Sequence, residues 1–286
     1  MWLYLSLLSA IFSGFSTIVM KKCSKDNFSL RLSLLGLLIG NVAYVIIGII
    51  ATNVIVDFDI VNLIKILPLS IIQTIGYVCA ILSVKYASVS TVSPIRKGNT
   101  VVTLILGILI LKDTFTDMQL VVSVILVALT ILLAKSERGK STQNENKGIF
   151  YAYGFVLFNG IAGFLNKIYI GKFGNPLIVT FYYGLAIIIG VILYCLLTKK
   201  WEYIDIKKIN HKGLFLFHSV LDLGANLSSR FSLVNGQVST VSVITSSSIV
   251  ITILASRFIL KEKISLKKYL MILGIFVCML ILALTK

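Results

Sequence analysis

The residues best suited to chemistry are few and share a recognisable spacing. His218, Asp222, Asn226 and Arg230 follow one another at intervals of four, which sets them along one face of a helix. They lie in an apolar run over 213–235. At ~1.5 Å per residue Asp222 stands ~13.5 Å along that run, near the middle of a ~30 Å hydrocarbon core. A carboxylate there must pair, accept hydrogen bonds or take up a proton. It marks a functional position, although polar side chains between membrane helices also serve as structural glue. Arg96 and Lys97 follow Pro94 early in another apolar run. Arg96 lies ~9 Å deep, where it can reach the level of Asp222 or snorkel to headgroups. Gln73 and Tyr77 give the run over 65–86 a polar face, Asn159 lies opposite Ser13 at mid-depth, and Ser246 is the counterpart of Lys97 in an internal repeat. Asp222, Arg96, Lys97, Tyr77, Gln73, Asn226, Arg230, Ser246 and Asn159 are the expected substrate-binding residues.

These residues suit binding better than bond-breaking. Arg96 and Lys97 match an anionic group such as a carboxylate or phosphate, and Asp222 matches an amine or balances the basic pair. His218-Ser-Val-Leu-Asp222 is one residue short of the His-four-Asp spacing of acyltransferases. The four cysteines show no paired spacing and only two histidines exist, so neither a disulfide framework nor a metal centre is expected. No nucleotide-binding loop is present in the sequence. The reading is a non-enzyme without a cofactor.

The elements that must position these residues follow from composition. Of 286 residues, 57% are hydrophobic and 13% charged, against about 45–50% and 25% in soluble domains; the chain is an integral membrane protein. Apolar runs recur over 2–20, 32–51, 65–86, 90–111, 117–134, 148–166, 176–198, 213–235, 238–260 and 268–285, which predicts ten transmembrane helices. Residues 1–20 lack a basic leader and a small-residue cleavage site, so they are expected to be a retained helix. The formal net charge of +16 belongs to loops that set topology and touch anionic lipid, not to nucleic-acid binding. Nineteen basic residues fall on one side and five on the other, leaving Arg96, Lys97 and Arg230 within spans. Both termini are therefore expected outside the cytoplasm. Residues 199–212, with Trp201, Tyr203, Ile204, Ile206 and Ile209 among charges, read as a segment in the headgroup region.

The chain repeats itself. VSTVSPIRKGNTVVTLILGILILKDTFT from Val89 aligns without gaps to VSTVSVITSSSIVITILASRFILKEKIS from Val238, 149 residues on. IFSGFSTIVMK from Ile11 matches LFNGIAGFLNK from Leu157, pairing Gly14 with Gly160 and Lys21 with Lys167. The expected organisation is a first five-helix repeat over 1–134, a polar linker over 135–147 and a second five-helix repeat over 148–286. Five spans per repeat invert the second in the membrane, an arrangement that places a substrate site near the midplane between the halves. Within the repeat, Ser90, Ser93, Lys97 and Thr100 share a helix face, as do Ser239, Ser242, Ser246 and Thr252. Gly36-x-x-x-Gly40 is expected to let helices pack closely.

Two five-helix halves, a glycine-centred first helix ending in lysine, and an acidic residue after the fourth helix (Leu-Lys-Asp113, repeated as Leu-Lys-Glu262) resemble the drug/metabolite transporter superfamily, in particular its ten-helix EamA-type members. The resemblance covers nearly the whole chain and implies an all-α fold of two inverted repeats. The chain departs from small multidrug relatives, which carry a membrane-embedded glutamate in the first helix where this one has Ser13, Gly14 and Ser16. The function expected is secondary transport or export of a small polar metabolite, amino acid-like or anionic, through a central cavity by alternating access. The alternatives are a translocator of lipid-linked sugars and, further off, a membrane-embedded transferase. The partners are the bilayer and a small-molecule substrate, with the chain a monomer or a homodimer in the cell membrane.

Overall fold

The computed structural model describes residues 1–25, 29–52, 54, 58–112, 143–261 and 265–284, together with 116–118, 121, 122, 124, 125, 128, 129 and 132. Among them every long element is helical: α1 (Trp2–Lys25), α2 (Ser29–Ala51), α3 (Ile60–Tyr86), α4 (Val89–Arg96), α5 (Asn99–Leu111), α6 (Gln143–Phe173), α7 (Pro176–Thr198), α8 (Lys212–Asn235), α9 (Val238–Ser246), α10 (Ser248–Ile259) and α11 (Leu266–Leu284). Asp113, Glu262, most of the span expected over 117–134 and residues 135–142 lie outside the described set. Residues 143–147, expected at the end of the polar linker, form the first turns of α6.

Among the described residues seven stretches are long and apolar enough to cross a bilayer, counting α4–α5 and α9–α10 each as one. This is a multi-pass, all-α membrane fold. Three of the ten spans expected from the sequence are not matched by this measure, and the one over 117–134 lies mostly outside the described residues. α8 has 24 residues, enough to span at ~1.5 Å each, but its polar face lowers its apolarity below that of the others. α11 holds an apolar stretch over Tyr269–Cys278, and its sequence stays apolar on to Leu284. Leu109, Leu197, Val220 and Leu270 are exposed, an outer surface suited to lipid and unsuited to water.

The two repeats meet through reciprocal contacts. A Cβ on Gly14 would lie 2.8 Å from Ile251 and 3.2 Å from the Ser248 carbonyl; one on Gly160 would lie 2.5 Å from Val102 and 2.9 Å from the Asn99 carbonyl. Val102 and Ile251 are equivalent across the 149-residue offset, as are Asn99 and Ser248. The two matching glycines, on α1 and α6, thus press onto the broken helices α9–α10 and α4–α5, where no side chain fits. Thr103 Oγ1 donates to the Gly160 carbonyl at 2.9 Å and its equivalent Thr252 to the Gly14 carbonyl at 3.4 Å.

Lys21 and Lys167 follow the same register within each repeat. Lys21 Nζ donates to the Val84 carbonyl and, at 2.7 Å, to that of Ala87. Lys167 Nζ donates to the carbonyls of Leu233, at 2.7 Å, and Gly236, at 3.0 Å. Leu233 and Gly236 stand 149 residues beyond Val84 and Ala87. Both lysines cover the C-terminal carbonyls of a long helix where it turns into a broken one. The last carbonyls of a helix lack intrahelical donors and carry its negative dipole end, so an ammonium there satisfies both.

The connection from α7 to α8 forms two short 3-10 turns, Trp201–Ile204 and Ile206–Lys208. It is tied to the bundle more closely than an interfacial segment need be: Ile209 is 3% exposed, and Arg31 Nη1 donates to the Lys208 carbonyl at 3.1 Å. On its outer side Lys208 and Glu202 pair at 3.0 Å, a hydrogen bond that holds the exposed Glu202 carboxyl below its ordinary range.

Candidate functional site

The spans expected over 90–111 and 238–260 are each broken in two, and the breaks build the site. Pro94 lacks an amide donor, and Gly98 follows it by four residues; the second break falls in Ser246-Ser247-Ser248. There Ser246 Oγ bonds back to the Ser242 carbonyl at 2.8 Å and Ser247 Oγ to that of Ile244 at 2.7 Å, the back-bonding that bends helices. Gly98 and Ser247 are equivalent across the offset. Both turns keep their backbone satisfied by three-residue bonds, Thr100 to Lys97 at 3.1 Å and Val250 to Ser247 at 3.1 Å. The hydroxyls of Thr100 and Ser246 bond to each other where the two broken helices meet.

Beside this junction lies a cavity of about 240 Å³ bordered by α1 to α10. Eight of the nine expected residues line it: Asp222, Arg96, Lys97, Tyr77, Gln73, Asn226, Ser246 and Asn159. Arg230 does not. It is 3% exposed, donates to Thr180 Oγ1 at 2.8 Å, and stacks 4.4 Å from the Tyr183 ring centroid and 5.5 Å from that of Tyr44. Those two tyrosines line the cavity, so Arg230 stands behind its wall.

Asp222 forms no direct ion pair with Arg96 or Lys97. Asp222 Oδ2 instead accepts from Asn226 Nδ2 at 3.1 Å, the same nitrogen that donates to the Asp222 carbonyl at 2.8 Å. The Arg96 guanidinium lies 4.3 Å over the Phe155 ring centroid, and its Nε and Nη1 are buried without a hydrogen-bond partner. An arginine held by an aromatic face keeps its planar fork available. His218 sits beside the cavity, its Nδ1 2.9 Å from Ser16 Oγ and its Nε2 3.5 Å from Tyr77 Oη, so it positions two lining residues from separate helices.

Gly40 also borders the cavity, and a Cβ there would meet nothing within 4 Å; at Gly36 it would lie 2.2 Å from Tyr77 Oη. Only the first glycine of Gly36-x-x-x-Gly40 serves a helix contact. Sequence reasoning missed Asn41, Asn166, Tyr44, Tyr183 and Phe155 as lining residues. The two asparagines carried a signal, as lone amides in apolar helices; the aromatics, common in such helices, carried none.

Comparison with known proteins agrees with this architecture. The family model of the EamA-like transporter family matches residues 1–135 and 146–284. The chain belongs to the EamA-like transporter family. Within that family the chain is read as a transporter, not an enzyme. A protein of known crystal structure superposes with a TM-score of 0.68 over 98% of this chain and 97% of its own, at 13% identity, a likeness of fold alone. No match was found among curated protein sequences.

Proposed function

We propose that this EamA-like protein is a secondary transporter, exporting a small polar metabolite, amino acid-like or anionic, by alternating access between two inverted five-helix repeats. The repeats are 1–134 and 148–286, with the pseudo-two-fold axis in the membrane plane and both termini outside the cytoplasm. The reciprocal Gly14 and Gly160 contacts support the axis, because a contact that is its own mirror across two equivalent surfaces is what a two-fold relation produces. The observation that carries the functional reading is the polar cavity itself: both repeats contribute to it, and it holds two cations and one carboxylate with no ion pair between them. Arg96 and Lys97 receive the anionic group of the substrate, Asp222 a donor group, and Gln73, Tyr77, Asn159, Asn226 and Ser246 complete the polar lining. Arg230 supports the site from behind Tyr44 and Tyr183.

The cavity volume lies below the range of about 300–1,000 Å³ that holds drug-sized ligands, which favours a compact metabolite over a lipid-linked sugar. The test is uptake by proteoliposomes of a labelled panel of amino acids, organic anions and phosphate esters. At least one compound should be transported, and Asp222→Asn should cut its rate at least tenfold while the protein stays inserted and monodisperse. Wild-type rates for Asp222→Asn would refute the charge-based site. Translocation of lipid-linked sugars with no uptake of small solutes would establish the alternative.

A further inference from the structure

The cavity has a second chemical character besides its cations. Asn41 is 4% exposed and Asn166 is 7% exposed, and both border the cavity. Asn41 Nδ2 donates to the Leu37 carbonyl at 2.7 Å, and Asn166 Nδ2 donates to the Ala162 carbonyl at 2.9 Å. A carbonyl oxygen only accepts, so each amide is locked in one orientation; a flip would set oxygen against oxygen. In each case the oxygen is the end left over, and Oδ1 of both residues is buried without a hydrogen-bond partner. Buried acceptors are rarely left so. Among the groups bordering this cavity are donors, Arg96, whose Nε and Nη1 have no acceptor, and Lys97, and acceptors, Asp222 with Asn41 and Asn166, whose amide oxygens have no donor. Arg96 and Lys97 stand 15 and 14 residues before Leu111 at the end of α5, and Asn166 stands seven before Phe173 at the end of α6.

We infer that Asn41 and Asn166 are specificity-determining residues, which with Asp222 accept hydrogen bonds from a primary ammonium while Arg96 and Lys97 hold the anionic end of the same molecule. The substrate class is then a small zwitterion, an amino-carboxylate or amino-phosphonate, and not a plain anion. An ammonium offers three donors, matching one carboxylate and two amide oxygens. A plain dicarboxylate would leave both amide oxygens unfilled and would meet Asp222 as a like charge. This inference rests on the transporter reading and narrows its substrate.

The experiment is proteoliposome uptake and competition with matched probes that differ only in the amine: aspartate against succinate and glutamate against glutarate, with alanine and 2-aminoethylphosphonate as smaller zwitterions. The expected result is that at least one amine-bearing probe is bound at least tenfold better than its amine-free partner or a simple anion such as phosphate. Asn41→Leu and Asn166→Leu should each erase most of that preference by weakening the amine-bearing probes more than their amine-free partners. Asn41→Ala and Asn166→Ala, which add no bulk, provide the same reading if either leucine variant fails to fold. Equal competition by amine-free probes, no binding of any zwitterion, or a preference that survives both substitutions would overturn the inference. If amine-free probes compete equally and succinate or phosphate is transported in an Arg96-dependent manner, the transporter reading stands and only the ammonium subsite falls. If no solute is transported and cavity substitutions change nothing, both fall.

Discussion

Replacing Lys21 or Lys167 by methionine isolates a contact that the repeat makes twice. Methionine keeps most of the apolar stem and deletes the ammonium, leaving the carbonyls of Val84 and Ala87, or of Leu233 and Gly236, without that donor. A hydrogen bond from a charged group contributes about 1.5–3 kcal/mol net. Two per lysine, partly recovered by relaxation and water at the helix end, give a loss of about 3 kcal/mol for each substitution. For a chain of this size about 2–4 °C of melting temperature accompanies each kcal/mol, so each variant should melt about 6–12 °C below the wild type. The two lysines share no partner, and the double variant should lose the sum. The assay is thermal unfolding of purified protein in detergent, followed by fluorescence-detected size exclusion. A melting temperature within 2 °C of wild type (on the order of 0.5–1 kcal/mol) for either variant would refute the capping role. A large effect at one lysine and none at the other would refute the equivalence of the two sites.

Three further outcomes follow from the same geometry. Gly160→Ala drives a Cβ to 2.5 Å from Val102 and should cost about 1–3 kcal/mol through overpacking, whereas Gly40→Ala meets nothing within 4 Å and should leave the melting temperature unchanged while its methyl group slows uptake; thermal unfolding and proteoliposome uptake read the two effects. Arg96→Gln and Lys97→Gln should raise the KM for anionic or zwitterionic solutes at least tenfold more than for neutral ones; equal effects on both would assign the basic pair to the headgroups. A C-terminal green fluorescent protein fusion should be dark and a C-terminal alkaline phosphatase fusion active, and the reverse pattern would overturn the orientation drawn from the charge bias.

Much of the site was legible in the sequence because its residues are expensive where they stand. Asp222, Arg96 and Lys97 sit in apolar runs, where an ionisable side chain is tolerated only with a compensating role, and all three border the cavity. The match of the segment from Ile11 to that from Leu157 paired Gly14 with Gly160 and Lys21 with Lys167, and the members of each pair meet equivalent surroundings. Arg230 shows the limit. Its spacing put it on the same helix face as Asp222, yet eight residues is ~12 Å along a helix, and Tyr44 and Tyr183 intervene between it and the cavity. Periodicity fixes the direction in which a side chain leaves its own helix; which neighbour closes over it depends on α2 and α7, more than 40 residues away in the chain.

The sequence by itself determined the solvent, the helical class, the twofold repetition and the charges that cannot be idle in a membrane, because each of these depends on transfer energies and local periodicity carried by single residues. The tertiary structure decided the broken helices at Gly98 and Ser247, the partnering of the Asp222 carboxylate by Asn226, and the inclusion of Asn41 and Asn166 in the wall. Those depend on how helices distant in sequence cross, and a hydrogen bond between hydroxyls of Thr100 and Ser246, or an aromatic face under Arg96, exists only once that crossing is made.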